Sequence, residues 1–351
     1  MGCQGHFAEH RLPSVRIACS SSHQKSMKPL LATLLFLTAL PVSAQSTPAG
    51  FQPEPIAPGG LVLPLYLPDS PFLSRERIHE AEKYNTATNN APRPITNVIN
   101  IHNPSIEVHL AADRSLNGAT VILAPGGGHK ILWVGHEGAH WVPSLDKLGV
   151  TTIILRNRLR VDGYEPTIDA VNDALQAIRL VRSRAAEWKL DPAKIGILGF
   201  SAGAELSAPA ALFFEEFQKK NSGAADPLAK VSARPDFVGV IYPGPTPFTK
   251  FPATPIPRNV PPSFIACSGS GDRVHASWAA DYFNAMLQQS VPNLEMHIYG
   301  RGGHGVKPDA EIPYATWSDR FVDWFRDLGF LGKPGEETVG AKDTAKHAAK
   351  L

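Results

Sequence analysis

Residues 195–203 read Ile195-Gly196-Ile197-Leu198-Gly199-Phe200-Ser201-Ala202-Gly203. The first six form an apolar run of strand length, and a helical pattern follows from Ala204 through Phe214 to Phe217. Ser201 therefore stands where a buried strand hands over to a helix, inside the string G-x-S-x-G. The glycines have a steric reason. A sharp turn that exposes the serine strains its backbone, and side chains at Gly199 and Gly203 would collide with the neighbouring strand and helix. A strand-turn-helix serine of this kind is a nucleophile candidate, the alternative being a plain helix N-cap.

Working outward, residues 119–124 (A-T-V-I-L-A), 150–155 (V-T-T-I-I-L), 237–242 (F-V-G-V-I-Y), 263–267 (S-F-I-A-C) and 294–299 are further short apolar runs. Such runs suit strands covered on both faces. Helical stretches separate them. The clearest is 166–188, where Ile168, Val171, Leu175, Ile178, Val181, Ala185 and Trp188 recur at spacings of three and four, with Pro166 in the first turn. Others run over 275–289 and 314–328. The alternation predicts an α/β fold with a mostly parallel central sheet flanked by helices. Residues 97–100 and 106–110, with no helix between them, are expected to pair as an antiparallel edge.

Acyl-transfer chemistry at Ser201 needs donors for an oxyanion, and Ala124-Pro125-Gly126-Gly127-Gly128-His129 leaves the strand upstream of the serine. Gly127 and Gly128 offer bare backbone N–H groups that, with the N–H of Ala202, could hold that oxygen. A glycine-rich turn that binds nothing is the other reading. No Gly-Lys-Ser/Thr follows, so a phosphate loop is not indicated.

A carboxylate and then a histidine should come later, each just past a strand end. Asp272 lies in Ser268-Gly269-Ser270-Gly271-Asp272, and His304 in Gly300-Arg301-Gly302-Gly303-His304-Gly305. His304 would take the Ser201 proton, and Asp272 would hold its tautomer. A helix cap for Asp272 and a loop histidine for His304 stay open. His129 is read as lining the site and His297 as structural. Glu137, in Gly135-His136-Glu137-Gly138, is either structural or a substrate contact. No two histidines stand with a carboxylate at metal-ligand spacing, so no metal and no cofactor are expected. Eight prolines between 243 and 262 stiffen a segment that leaves a strand end, where ligands bind in such sheets.

The chain carries 34 basic and 32 acidic residues, a net +2, without a basic run interleaved with aromatics. Nucleic acid is not an expected partner. From Met27, a lysine, an apolar stretch over 30–40 and Val42-Ser43-Ala44 read as a signal peptide cut after Ala44, with Met27 the expected start. That stretch of about eleven residues is short of the roughly 20 a membrane span needs, and no lipoprotein cysteine follows, so no stable membrane anchor is expected. The expected organisation is a leader and signal peptide (1–44), a flexible lead-in (45–60), a catalytic domain (61–332) and a flexible tail (333–351). Cys267 alone remains beyond the leader, which leaves no internal disulfide.

With these motifs placed, the chain resembles α/β-hydrolases of the dienelactone hydrolase-like and acetyl-xylan esterase group. The matching stretches are N-G-A-T-V-I-L-A-P-G-G-G-H from Asn117, H-E-G from His136, A-L-Q-A-I-R-L-V-R-S-R-A-A from Ala174, I-G-I-L-G-F-S-A-G from Ile195 and Y-G-R-G-G-H-G from Tyr299, within residues 110–328. The resemblance implies an α/β-hydrolase fold with its nucleophile elbow at Ser201, and a serine ester hydrolase that forms an acyl-enzyme. It carries catalytic roles to Ser201, Asp272 and His304, and oxyanion donors to Gly127, Gly128 and Ala202. The group usually continues its elbow with a second glycine and a histidine, where this chain has Ala204 and Glu205. Asn157 stands where a tyrosine is common. Both departures lie near the pocket, and Glu205 joins His129 as an expected substrate contact. The expected substrate is a short-chain ester, such as acetyl groups on plant polysaccharide, met in the periplasm or outside the cell. A peptidase or lipase of the same fold, or an inactive carbohydrate-binding relative, are the alternatives.

Overall fold

The computed structural model describes residues 53–87, 94–221, 226–307 and 310–351. The expected leader and signal peptide, and the first residues of the lead-in, lie outside the described residues.

The strands are β1 (Leu61–Pro64), β2 (Lys83–Thr86), β3 (Ile95–Ile99), β4 (Ser105–His109), β5 (Thr120–Ala124), β6 (Thr151–Arg156), β7 (Ile195–Phe200), β8 (Val238–Ile241), β9 (Ser263–Ser268) and β10 (Glu295–Tyr299). The α-helices are α1 (Val142–Asp146), α2 (Val171–Ser183), α3 (Ala185–Trp188), α4 (Ala204–Lys220), α5 (Pro247–Lys250), α6 (Arg273–Gln288), α7 (Trp317–Asp327) and α8 (Val339–Ala348). Among the described residues, eight strands form one sheet in the order β1-β4-β6-β5-β7-β8-β9-β10. From β6 to β10 every neighbour is parallel, while β4 and β1 add antiparallel pairs at one side.

β5, β6, β7 and β9 are buried along their whole length, as continuous apolar runs require when helices cover both faces. Alternation along β7 shows the two layers. Phe200 packs on Trp141 and Trp317 on one face, whereas a Cβ on Gly199, pointing the other way, would meet the start of α4. The chain runs from β5 outward to β6 and returns to β7 on the opposite side of β5. That reversal opens a crevice at the carboxyl ends of β5 and β7, and the glycine loop and Ser201 stand there.

Three expectations are corrected. Residues 97–100 and 106–110 do not pair with each other: β3 pairs with β2 in a separate ribbon, and β4 pairs with β1 and β6. Asn100 takes a left-handed turn (φ +62°) that redirects the chain, and the fully buried β4 satisfies its backbone on both edges. The described part of the lead-in, 53–60, is pinned. The Glu107 carboxylate accepts from the Ile56 and Ala57 N–H groups, and Arg156, paired with Glu107, donates to the Glu54 carbonyl. The pair is fully buried, so each charge depends on the other for compensation.

The tail, 333–351, carries α8. Thr338 caps it by accepting from the Ala341 N–H at 3.0 Å, a bond worth about 1 kcal/mol. Gly340 rests near Pro262 and Phe330. Gly340, Thr344 and His347 are the buried residues of this short helix, which docks without the large apolar groups whose scarcity hid it.

Candidate active site

β7 ends at Phe200 and the next residue, Ser201, adopts φ +51°. A left-handed conformation at a non-glycine residue costs on the order of 1–3 kcal/mol, which the surrounding packing must hold. Here the packing is severe. A Cβ on Gly199 would lie 2.2 Å from the Gly203 carbonyl oxygen, and one on Gly203 would lie 1.9 Å from that of Ala124. Glycine at both positions lets β7, α4 and the end of β5 close around the turn and present the serine hydroxyl.

That hydroxyl lies 2.8 Å from His304 Nε2, and His304 Nδ1 lies 2.8 Å from Asp272 Oδ2. In the tautomer with Nδ1 protonated, His304 donates to the carboxylate and accepts from Ser201. Asp272 is the residue before α6, yet its side chain caps no helix N–H. Its carboxylate turns to imidazole instead, which removes the helix-cap alternative. The loops holding the two groups interlock: Ser268 Oγ donates to the Gly302 carbonyl at 2.7 Å, and the Gly269 N–H to that of Tyr299 at 2.8 Å.

Beside the serine runs the loop after β5. Gly127 (φ +129°) and Gly128 (φ +62°) hold conformations that glycine tolerates, and neither donates its N–H to an acceptor among the described residues. Glu137 organises this loop from below. It is buried; Oε2 accepts from the Gly126 N–H at 2.6 Å and Oε1 from the Tyr242 hydroxyl at 2.8 Å. Burial pushes its carboxyl above the usual range, partly opposed by those two bonds. Burial, with Glu137 beside it, holds the Tyr242 phenol well above its ordinary value, so Tyr242 is a donor that fixes Glu137. The Tyr242 ring meets His304 edge-on at 5.2 Å between centroids.

A cavity of about 700 Å³ opens over these groups. Beyond Ser201, His304, Gly127, Gly128 and Glu137, its walls include Trp133, His136, Tyr242, His275, Val306 and Lys307. A second cavity, about 570 Å³, lies between α1 and α7 against Leu123, Leu198 and Trp317, and no histidine lines it to activate a nucleophile. Cys267 is buried with its thiol pushed up to about 12, so it does not compete with Ser201.

The geometry can be set beside known proteins. A crystal structure of an acetyl ester-xyloside bifunctional hydrolase from Caldicellulosiruptor lactoaceticus superposes with a TM-score of 0.62 at 24% identity, over 81% of this chain and all of that one. The carboxylesterase Cest-2923 from Lactobacillus plantarum superposes at 0.56, with 20% identity, over 72% and 99%. This is the α/β-hydrolase fold. Within this fold, residues 144–265 match the family model described as BD-FAE. By sequence the chain is similar to an acetylxylan esterase from Xylanibacter ruminicola, 37% identical over 26% of this chain and 18% of that protein. It is also similar to endo-1,4-beta-xylanase B from Butyrivibrio fibrisolvens, 24% identical over 56% of this chain. The chain spans about a third of that xylanase's length, 34%.

The fold brings Ser201, His304 and Asp272 into one chain of contacts beside Gly127 and Gly128, and Ala202 follows Ser201 in the turn. His129 and Glu205 are not among the residues lining the cavity. They face each other instead, Nε2 to Oε1 at 3.5 Å, with His129 buried and the Glu205 carboxylate lying over Gly244. His129 sits in a left-handed turn (φ +57°) and is buried, whereas Trp133 and His136 line the opening. His297 pairs with Glu295 at 2.7 Å on β10. Sequence reasoning passed over His275, although its place three residues after Asp272 signals a shared helical face. Its Nδ1 lies 2.5 Å from Asp272 Oδ1. Asp272 therefore gathers two histidines: His304 comes to it from a distant loop, which linear spacing does not register.

Proposed function

We propose that this α/β-hydrolase is a serine carboxylic ester hydrolase acting through an acyl-enzyme on short-chain esters, acetyl groups of plant polysaccharide or related carbohydrate foremost. The observation that carries the reading is the unbroken relay from Ser201 Oγ through His304 to Asp272, two contacts of 2.8 Å beside free glycine N–H groups. Ser201 Oγ would attack the acyl carbon while its proton passes to His304 Nε2. The carbonyl electron pair moves onto oxygen, where the N–H groups of Gly127, Gly128 and Ala202 receive the charge. Collapse breaks the bond to the alcohol, which leaves with the His304 proton. Water then repeats the sequence against the acyl-Ser201. Removing one donor from such an anion pocket typically costs about 2.7–4 kcal/mol of barrier.

The carbohydrate reading is supported by the acetylxylan esterase and xylanase among the similar proteins, and by an open cavity with Trp133 at its wall, an apolar ring face of the kind that packs on sugar rings. The signal-peptide pattern from Met27 to Ala44 supports export, with the periplasm or the cell exterior as the proposed location. Initial rates on acetylated xylan, methyl ferulate, p-nitrophenyl acetate and a peptide anilide test the proposal. Cleavage of the acetyl esters, lost in Ser201→Ala, is expected. Turnover of the anilide alone, or of none of them, would overturn it.

A further inference from the structure

Two imidazoles share one carboxylate at this site. Asp272 Oδ2 meets His304 Nδ1 at 2.8 Å, Oδ1 meets His275 Nδ1 at 2.5 Å, and the two rings lie 3.9 Å apart between centroids at 34°. One potential ligand atom from each of the three residues lies within 4.8 Å of the others. Asp272 and His275 are set by the first turn of α6, with Trp278 edge-on against the His275 ring at 5.0 Å. His304 arrives from the loop after β10. His275 and His304 both line the cavity, so an ion in solution reaches them.

We propose that Asp272, His275 and His304 form a chelating site for a divalent cation of the zinc type, and that the bound ion switches the triad off. Two imidazole nitrogens, one carboxylate oxygen and a cavity water make the tetrahedral N₂O₂ set that zinc accepts, at ligand distances of about 2.0–2.2 Å. In such a set neighbouring donors stand roughly 3.3 Å apart; the two imidazole–carboxylate contacts, one on each carboxylate oxygen at 2.8 and 2.5 Å, would open slightly, and the three ligand atoms already lie within 4.8 Å of one another.

The inhibition follows from proton placement. The triad needs hydrogen on His304 Nδ1 and a lone pair on Nε2. An ion takes the Nδ1 lone pair instead, so the proton leaves Nδ1 and is replaced, through solvent, by one on Nε2. A neutral imidazole has a single lone pair, and with that pair on the metal Nε2 cannot accept the Ser201 proton. The same shift at His275 frees its Nδ1 as the second ligand. Without His275 only one nitrogen and one carboxylate remain, a weak pair for a borderline ion. The effect on turnover rests on the esterase proposal, whereas binding of the ion does not.

The test has two arms on the full chain. In the first, Co²⁺ is titrated into Ser201→Ala protein, which keeps all three ligands, and visible absorption is read. One ion per chain with a tetrahedral band is expected, lost in Ser201→Ala/His275→Phe; a titration without that band overturns the site whether or not the protein is an esterase. In the second, p-nitrophenyl acetate hydrolysis is followed against Zn²⁺ and then EDTA. Wild-type protein should lose at least about tenfold of its rate and recover with chelator. In His275→Phe and His275→Gln, each normalised to its own metal-free rate, the half-inhibitory concentration should rise by at least about tenfold, within the range seen when groups around a metal are removed. Equal sensitivity in those variants, with loss of sensitivity in His140→Ala or His297→Ala instead, would place the ion elsewhere and overturn the proposal.

Discussion

Gly271 and Gly302 approach so closely that a Cβ on Gly271 would fall 1.6 Å from the Gly302 carbonyl oxygen. The loop that delivers the carboxylate and the loop that delivers the imidazole are thus packed as one unit. Gly271→Ala must push them apart. We expect kcat on p-nitrophenyl acetate to fall at least about tenfold, with an overpacking cost of about 1–3 kcal/mol in urea unfolding. Gly300→Ala, where nothing lies within 4 Å of the added carbon, should leave both measurements within about twofold and 0.5 kcal/mol of wild type.

Asp272→Asn tests tautomer control. An amide in place of the carboxylate can donate toward His304 Nδ1, which moves the ring proton to Nε2. Because Asp272 caps no helix N–H with its side chain, the fold should survive. The expected result is a kcat lower by about four orders of magnitude, the loss this exchange causes in serine protease triads, with a circular dichroism spectrum like that of wild type.

Strain at the nucleophile predicts a trade of function for stability. Ser201 holds φ +51°, a conformation that costs an alanine about 1–2 kcal/mol and a glycine little. Ser201→Gly should therefore be more stable than Ser201→Ala by about 1 kcal/mol in urea unfolding, and both should be inactive. Equal stabilities would mean that the elbow is unstrained.

Glu137 gives stability a pH dependence of known sign. Burial raises its carboxyl above the ordinary value, so the folded state holds a proton that the unfolded state has released. Its contribution is fully present below the unfolded value and is lost as pH rises through the raised folded one. Glu137→Gln removes this dependence and keeps an oxygen for the Gly126 N–H. The stability of the variant relative to wild type should increase as pH rises from about 4 to 8, measured by urea unfolding at fixed ionic strength. A difference that falls over that range would show that Glu137 is stabilised as an anion.

Much of the fold was legible because its parts announce themselves locally. β5, β6, β7 and β9 are apolar runs with sharp ends, and their observed bounds differ from the expected ones by a residue at most. Ser201, Asp272 and His304 each follow such an end among glycines. What stayed hidden depends on contacts across the chain. β4 was expected as a strand but not its partners β1 and β6; it carries a buried Glu107 paired with Arg156, 49 residues away, and a hydrophobic pattern cannot register a paired charge. Tyr242 looked like the last residue of a strand, and only the fold sets its hydroxyl on Glu137, 105 residues back. His129 and Glu205, flanking the motifs, were assigned to the pocket by proximity in sequence; in the fold their side chains face each other.

Rapid mixing with p-nitrophenyl acetate, followed by intact-mass and peptide analysis of acid-quenched protein, tests the acyl-enzyme at Ser201 most directly. A fast release of about one p-nitrophenol per chain is expected where deacylation is slower than acylation. One added acetyl group on the peptide that holds Ser201, absent from Ser201→Ala, is expected with it. Undiminished hydrolysis by Ser201→Ala, or an acetyl group lodged on another residue with Ser201 unmodified, would contradict it.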